Sequence, residues 1–385
     1  MSRAFGAVVP PGRIVGLDVA RCIALVGMIA THSLESTTPD GGVTVVQQIA
    51  AGRASALFAV LAGVSLALMS GGTTPVRGAE ARAVSAGLAV RAGAIAVLGL
   101  ALGGVSSGVL VILAYYGVLF LLGIPFLRLT ARPLALLGAV WVLVVPVVMH
   151  VVRRHLAEAP VESPTFASLA DPLQLAVQLT VTGSYPAVPW LGYLLVGMAL
   201  GRLDLTRWRT AWTLVVVGVG VALASWWGSK VLVARPGVRE ELEQTLTGPY
   251  ASLEFALQHG LFGTTPTGTG WWLAVDAPHS GTPFDLAATI GSSLAVIGCC
   301  LVVGRLLPTL AAVVFGAGAM TLTLYSGHLM LRSPAFLPDH DTRTFLIHVA
   351  IVMAVGVAYR LGRTPGPLER LVSRMAGGTA NKVRS

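Results

Sequence analysis

Charge is scarce in this chain of 385 residues. Asp, Glu, Lys and Arg make up 11% of it, where a soluble domain usually carries about 25%. That shortage excludes an ordinary water-soluble globule. Lysine is nearly missing, with only Lys230 and Lys382 beside 24 arginines, and Asn381 is the single asparagine. Cysteine is limited to Cys22, Cys299 and Cys300, all inside apolar runs. A disulfide framework and a metal site are therefore not expected. A cleavable leader is also not expected. The first apolar run holds Asp18 and Arg21 and has no small-residue cleavage site, so it reads as a retained helix.

What fills the chain is hydrocarbon: 55% of residues are hydrophobic, with mean hydropathy +0.78. A bilayer core about 30 Å thick takes roughly 20 apolar residues per helix. The apolar runs predict spans at about residues 15–33, 54–70, 86–104, 108–128, 133–151, 187–204, 210–228, 285–304, 309–331 and 343–361. The expected fold is an all-α polytopic membrane protein of about ten transmembrane helices in the plasma (inner) membrane, both termini cytoplasmic. The basic residues agree with that topology. Sixteen fall on the inside: Arg3, Arg13, Arg77, Arg82, Arg128, Arg132, Arg202, Arg207, Arg209, Arg305, Arg360, Arg363, Arg370, Arg374, Lys382 and Arg384. Eight fall outside: Arg53, Arg153, Arg154, Lys230, Arg235, Arg239, Arg332 and Arg343. The acids lean outward, Glu35, Asp40, Glu158, Glu162, Glu240, Asp276 and Asp285 among them. The expected partners include membrane lipid but no nucleic acid.

Five parts follow: a cytoplasmic segment 1–12, a seven-helix part 13–228, a long outer loop 229–284, a three-helix part 285–363 and a basic tail 364–385. The tail reads as disordered and drawn to anionic lipid. The loop carries an amphipathic piece near 238–259, a turn cluster at 263–270, and Trp271 and Trp272 as an interfacial anchor. A loop of that length is usually functional, and covering the mouth of a cavity or simple tethering are equal readings. The short apolar stretch 171–182 suits a re-entrant or interfacial piece.

Charges inside spans cost about 2.5–3.5 kcal/mol each on insertion scales and default to functional hypotheses. Gly16-Leu17-Asp18-Val19-Ala20-Arg21 is followed by ten residues and then His32. Eleven positions make three turns plus about 20°, with a rise near 16 Å, so Arg21 and His32 share one helix face. Asp18 stands three residues before Arg21, within pairing distance; the bland reading is a snorkelling pair. Arg91 enters the third span at a depth similar to Arg21. Two arginines at one depth make an anion pocket, since the guanidinium fork holds two phosphate oxygens at once. His328, in Leu322-Thr323-Leu324-Tyr325-Ser326-Gly327-His328, should reach the same leaflet as His32; a satisfied polar helix contact is the alternative. Glu35, one turn beyond His32, either orients it or is solvated. Tyr185-Pro186-Ala187-Val188-Pro189-Trp190 and Pro278-His279-Ser280-Gly281-Thr282-Pro283 lie outside. They are plain turn punctuation or, by their aromatic and His content, a sugar-type site. Arg53 stands at the outer start of the second span. Substrate-binding candidates are therefore Arg53, Tyr185, Trp190 and His279.

The opening Arg-Ile-Val-Gly-Leu-Asp-Val-Ala-Arg…His resembles the heparan-α-glucosaminide N-acetyltransferase-like catalytic domain. So do Ala51-Gly52-Arg53-Ala54-Ser55-Ala56-Leu57-Phe58, the Ala62-Gly63-Val64-Ser65 turn, Arg91 and Ile112-Leu113-Ala114-Tyr115-Tyr116-Gly117. The Tyr-Pro-Ala-Val-Pro-Trp, Pro-His-Ser-Gly-Thr-Pro and Leu-Thr-Leu-Tyr-Ser-Gly-His segments look like related actinobacterial membrane proteins. The Arg21–His32 spacing is similar to the first helix of the wider transmembrane acyltransferase superfamily. The resemblance implies an acyl-CoA, normally acetyl-CoA, entering from the cytoplasm as co-substrate rather than a tightly bound cofactor. It implies an envelope glycan or glycolipid acceptor arriving from outside. It makes His32 the candidate catalytic base or acyl carrier, with Glu35 and His328 beside it, and makes Asp18, Arg21 and Arg91 candidate donor-holding residues. The chain departs from the family pattern at one place. That pattern puts its catalytic His after helix one in a Trp-containing segment, whereas Ser33 to Gln48 holds neither His nor Trp. Two other readings stay open: a transporter or flippase of a polar lipid or envelope metabolite, and a non-catalytic membrane scaffold. A homodimer is compatible with each.

Overall fold

The computed structural model describes residues 9–156, 161–248, 250–263 and 265–384. Arg3, Glu158, Pro249, Thr264 and most of the N-terminal segment 1–12 lie outside the described residues. Apart from an isolated bridge between Thr37 and Val43, the regular structure described is helical. In chain order the helices are α1 Val15–Ser33, α2 Val45–Ala50, α3 Arg53–Met69, α4 Gly78–Gly103, α5 Leu113–Gly123, α6 Ala131–Arg153, α7 Pro172–Val177 and α8 Ala187–Gly201. After them come α9 Trp208–Val233, α10 Val238–Gln244, α11 Leu253–His259, α12 Pro283–Leu306, α13 Pro308–Val314, α14 Thr321–Leu331, α15 Thr342–Leu361 and α16 Pro367–Arg384.

Among the described residues seven helical segments are long and apolar enough to cross a membrane: α1, α2 with α3, α4, α6, α9, α12 and α15. Leu113–Phe126 and Ala187–Gly201 are apolar but shorter. The expected span 309–331 is broken. α13 stops at Val314, a 3-10 turn occupies Gly316–Ala319, and α14 restarts at Thr321. Two glycines explain the break. A Cβ on Gly318 would run into the backbone carbonyl of Asp18 on α1, and one on Gly316 would sit 2.5 Å from the carbonyl of Gly356 on α15. The turn is wedged between two helices at a spacing only glycine permits.

Helix packing elsewhere uses the same device. Gly218 of α9 meets Gly291 of α12 backbone to backbone, and Gly63 of α3 faces Gly197 of α8. Small residues let backbones approach where lipid supplies no hydrophobic drive between helices. The outer rows of α6 (Leu136, Leu143, Val144) and α9 (Val216, Leu223, Trp227) are exposed and apolar, as a lipid-facing surface requires. α12 starts with Pro283 in its first turn and the Thr282 hydroxyl accepting from the Asp285 N–H at 3.1 Å, a good N-terminal cap.

Three expectations change. The tail is not disordered: 367–384 is helix α16, lying along α4. Its buried or half-buried positions Leu368, Val372, Ala376, Thr379 and Ala380 recur every three or four residues, the stripe of an amphipathic helix. Trp272 is not an interfacial anchor. It is fully buried in a small core with Val238, Leu242, Leu253 and Leu261, and its indole N–H donates to the Thr245 hydroxyl at 3.0 Å. The loop is thus a packed unit with its own core. Within 171–182, α7 leads into a π-helical turn Gln178–Thr182.

Candidate active site

The site is built around α1. At one end Asp18 is buried, 2% exposed, and gathers cations. Arg13 grips it with two hydrogen bonds of 2.5 and 2.9 Å. Arg21 donates to it at 3.1 Å, and Arg360 of α15 lies 3.8 Å away. The other arm of Arg21 donates to the Ser65 hydroxyl of α3 at 2.9 Å. One carboxylate therefore orients a guanidinium whose remaining surface faces a cavity.

That cavity has a volume of about 250 Å³. Arg21, Ser65, Arg91, Tyr116, Tyr325 and Glu369 are among its polar lining residues, and Met28, Phe58, Leu61, Ile95 and Ile112 are among the apolar ones. Arg21 and Arg91 both line it. Arg91 also donates to Ser373 of α16 at 3.3 Å. Glu369, the first acid of α16, takes the start of α14. Its carboxylate accepts from the Leu322 and Thr323 N–H groups at 2.8 and 3.1 Å and from the Thr323 hydroxyl at 2.5 Å. The start of the half-helix made by the break in 308–331 thus lies at the cavity wall, with the Glu369 carboxylate bound to its N-terminal N–H groups.

Toward the other end of α1 lies a smaller pocket of about 30 Å³. His32, Thr31, Ser55, Tyr185 and His279 line it, together with Met28, Ile112 and Tyr325. These last three residues also line the large cavity. These three side chains form the waist between the two spaces, with the arginines on one side and the imidazoles on the other.

Behind His32 the structure places two more histidines. His32 Nδ1 lies 3.2 Å from His328 Nε2, with the rings stacked. His328 Nδ1 lies 2.8 Å from Nδ1 of His348 on α15. His328 and His348 are essentially fully buried. Arg332, at the end of α14, is buried beside them. It donates to the Asp339 carbonyl at 2.7 Å and reaches His340 Nε2 at 2.8 Å. Burial and the Arg332 charge hold the loop residue His340 below its ordinary pKa, because both disfavour a second cation.

The other expected site residues divide. Tyr185 packs edge-on against Tyr115, Trp190 and His279, and its hydroxyl donates to the Leu110 carbonyl at 3.3 Å. Trp190 is buried behind Tyr185 and does not line the His32 pocket. His279 has a left-handed backbone, φ 57°, and stacks on Phe262. Burial pushes its pKa down to about 4. Arg53 points back to the Gln48 carbonyl. Glu35 is exposed; the ring partner of His32 is His328. Sequence reasoning passed over His348, Arg332, Ser65 and Glu369 as site residues. His348 carried a usable signal, a lone imidazole in an apolar span; the other three carried none. Among the described residues no group of His, Cys, Asp and Glu could hold a metal ion.

Fold and site together define a polytopic helical membrane protein with a basic cavity and an imidazole-lined pocket that share three wall residues. The family model for heparan-alpha-glucosaminide N-acetyltransferase, catalytic, matches residues 13–232. That is more than half of the chain, which belongs to this family of membrane acetyltransferases. Acetyltransferases of this family generally use acetyl-CoA as co-substrate. No curated protein matches the sequence. α1, the arginine cavity's Arg21 and Arg91, and His32 fall inside the matched stretch; His279, His328, His348 and Glu369 fall outside it.

Proposed function

We propose that the chain transfers an acyl group, normally acetyl, from cytoplasmic acyl-CoA to a hydroxyl or amine of an envelope glycan or glycolipid. The Asp18 end faces the cytoplasm, ten membrane crossings leave both termini inside, and the packed unit 229–284 lies outside. The observation that carries this reading is the waist: Met28, Ile112 and Tyr325 each border both the arginine cavity and the His32 pocket.

Each space suits one half of the reaction. Donor phosphates are held by Arg21 and Arg91, whose forks match phosphate oxygens. Asp18 and Ser65 fix the Arg21 fork. The thioester arm lies along the apolar wall and reaches the waist. The acceptor enters past Tyr185 and His279, whose rings offer the faces a sugar packs on. His32 Nε2 takes the acceptor proton; the new bond forms at the carbonyl carbon, the C–S bond breaks, and the proton passes to the leaving thiolate. A positioned base of this kind contributes about 10²–10⁴-fold.

Mass spectrometry of lipids and glycans from cells with and without the chain tests the reading. It predicts one envelope species that loses an acyl mass on deletion and regains it on complementation with the wild type. Identical profiles would overturn it. The break in 308–331 also suits a transporter or flippase, whose sites use half-helix ends. Flux of a polar lipid through proteoliposomes without acyl-CoA would favour that alternative.

A further inference from the structure

We infer that His328 and His348 are positioning residues which, through one continuous imidazole chain, set the tautomer of His32 and share the proton it accepts. The inference rests on the acyl-transfer reading. It adds His348 of α15, the last apolar span, and gives His328 a defined part; both lie beyond the family match.

The chain follows from counting protons. A neutral imidazole has one N–H and one bare nitrogen. Both nitrogens of His328 are engaged, with His32 Nδ1 at 3.2 Å and with His348 Nδ1 at 2.8 Å. Each contact needs one proton between its two nitrogens. With all three rings neutral, two arrangements satisfy both contacts. In the first, His32 Nδ1–H donates to His328 Nε2, and His328 Nδ1–H donates to His348 Nδ1. His32 then offers a bare Nε2 to the pocket and acts as a base. In the second, His348 Nδ1–H donates to His328 Nδ1, and His328 Nε2–H donates to His32 Nδ1. His32 Nε2 then carries a proton and cannot be a base. The tautomer of His348 is therefore coupled to that of His32, two rings away.

The far end of the chain is closed. His348 Nε2 is buried and meets no hydrogen-bond partner among the described residues, so exchange with substrate runs through His32. One cation and two further imidazoles stand around the three rings. Arg332 is buried beside all of them, and His340 and His279 stand at the edges. Among the described residues no carboxylate hydrogen-bonds to any of the three rings. An added proton is poorly solvated and close to Arg332 on any of the three rings, so no single ring holds it well. The chain offers a way to spread it. When the acceptor O–H or N–H gives its proton to His32 Nε2, the Nδ1–H of His32 moves to His328 Nε2, and the Nδ1–H of His328 moves to His348 Nδ1. The charge then rests on His348, with His32 and His328 neutral. On collapse of the tetrahedral adduct the three shifts reverse, and His32 Nε2–H protonates the departing thiolate. The chain ends as it began, and no external acid or base is consumed.

The test compares His348→Asn with His348→Leu in the full-length protein. Asn places an amide group near the position of Nδ1 and retains one hydrogen bond to His328, but cannot hold a second proton. Leu removes the contact. The first readout is ¹⁵N magic-angle-spinning NMR of histidine-labelled protein in lipid, which reports the tautomer of each ring without turnover. The chain predicts that the His32 signals shift in both variants, and a His32 signal that stays put in His348→Leu would overturn it. The second readout is acetyl-CoA turnover in mixtures of H₂O and D₂O. Wild type should show a curved dependence from several protons in flight. His348→Asn should show a straight line, kcat lower by on the order of tenfold, and KM for acetyl-CoA unchanged. Equal kcat with the same curvature would also overturn it. A wild type without turnover rejects the acyl-transfer reading, and the NMR result then decides the tautomer chain alone.

Discussion

Asp18→Asn isolates the charge cluster that holds the donor-side arginines. The substitution keeps the shape and removes one negative charge. Asp18 is 2% exposed and is the partner of Arg13, Arg21 and Arg360 at 2.5, 3.1 and 3.8 Å. Arg360, itself 8% exposed, has no hydrogen bond from its Nε or from the terminal nitrogen facing Asp18. With the carboxylate gone, the buried Arg360 and the half-buried Arg21 become cations without a counter-charge. Removing one partner from a buried ion pair costs about 3–5 kcal/mol. An unfolding entropy on the order of 0.8 kcal/mol/K for a chain of this length turns that into a midpoint lower by about 4–6 °C. Differential scanning fluorimetry in detergent reads it. Asp18→Asn combined with Arg360→Gln should recover part of the loss, because the stranded cation is removed as well. A midpoint within about 1 °C of wild type, or a double variant no better than the single one, would refute the assignment of Asp18 as the counter-charge of this cluster.

Three other perturbations read other parts of the molecule. Ile112→Trp should fill the waist, cutting turnover more than about tenfold while acetyl-CoA affinity by calorimetry stays within about threefold. Gly318→Val should drive a side chain into the Asp18 carbonyl and destabilise the protein by about 1–3 kcal/mol in chemical denaturation. The third concerns pH. His279 titrates near 4 when folded against an ordinary value of 6.5, so between these values the unfolded chain binds more protons. Stability from His279 is complete above about pH 6.5 and falls as pH drops toward about 4. It is flat below that, for a total of at most about 3 kcal/mol. His279→Gln should flatten that part of the midpoint-against-pH curve.

Much of the architecture is visible in the sequence because hydropathy and helical period are local. Arg21, Arg91 and His32 stand out as polar groups in apolar runs, and counting turns places the two arginines at one depth. The break at 316–319 does not show. Gly316, Ala317, Gly318 and Ala319 are small and apolar, so they score like the rest of a span, and only the approach of Asp18 and Gly356 forces the turn. The docking of α16 is hidden for the opposite reason. Its residues are polar and basic, and Glu369 gains meaning only when the N-terminus of α14 meets it. Trp272 looks interfacial because tryptophan often is, whereas its neighbours Val238 and Leu242 come from another turn of the loop. The His328–His348 contact joins two helices whose order and register no local pattern specifies.

The central claim is that His32 performs the proton transfer on an acyl group delivered from the arginine cavity. It is tested most directly with reconstituted protein, labelled acetyl-CoA on the cytoplasmic face and envelope extract on the other, comparing wild type with His32→Ala. The account predicts that the variant binds acetyl-CoA as tightly as wild type and transfers the label about 10²–10⁴-fold more slowly. Transfer at the wild-type rate by His32→Ala would contradict it.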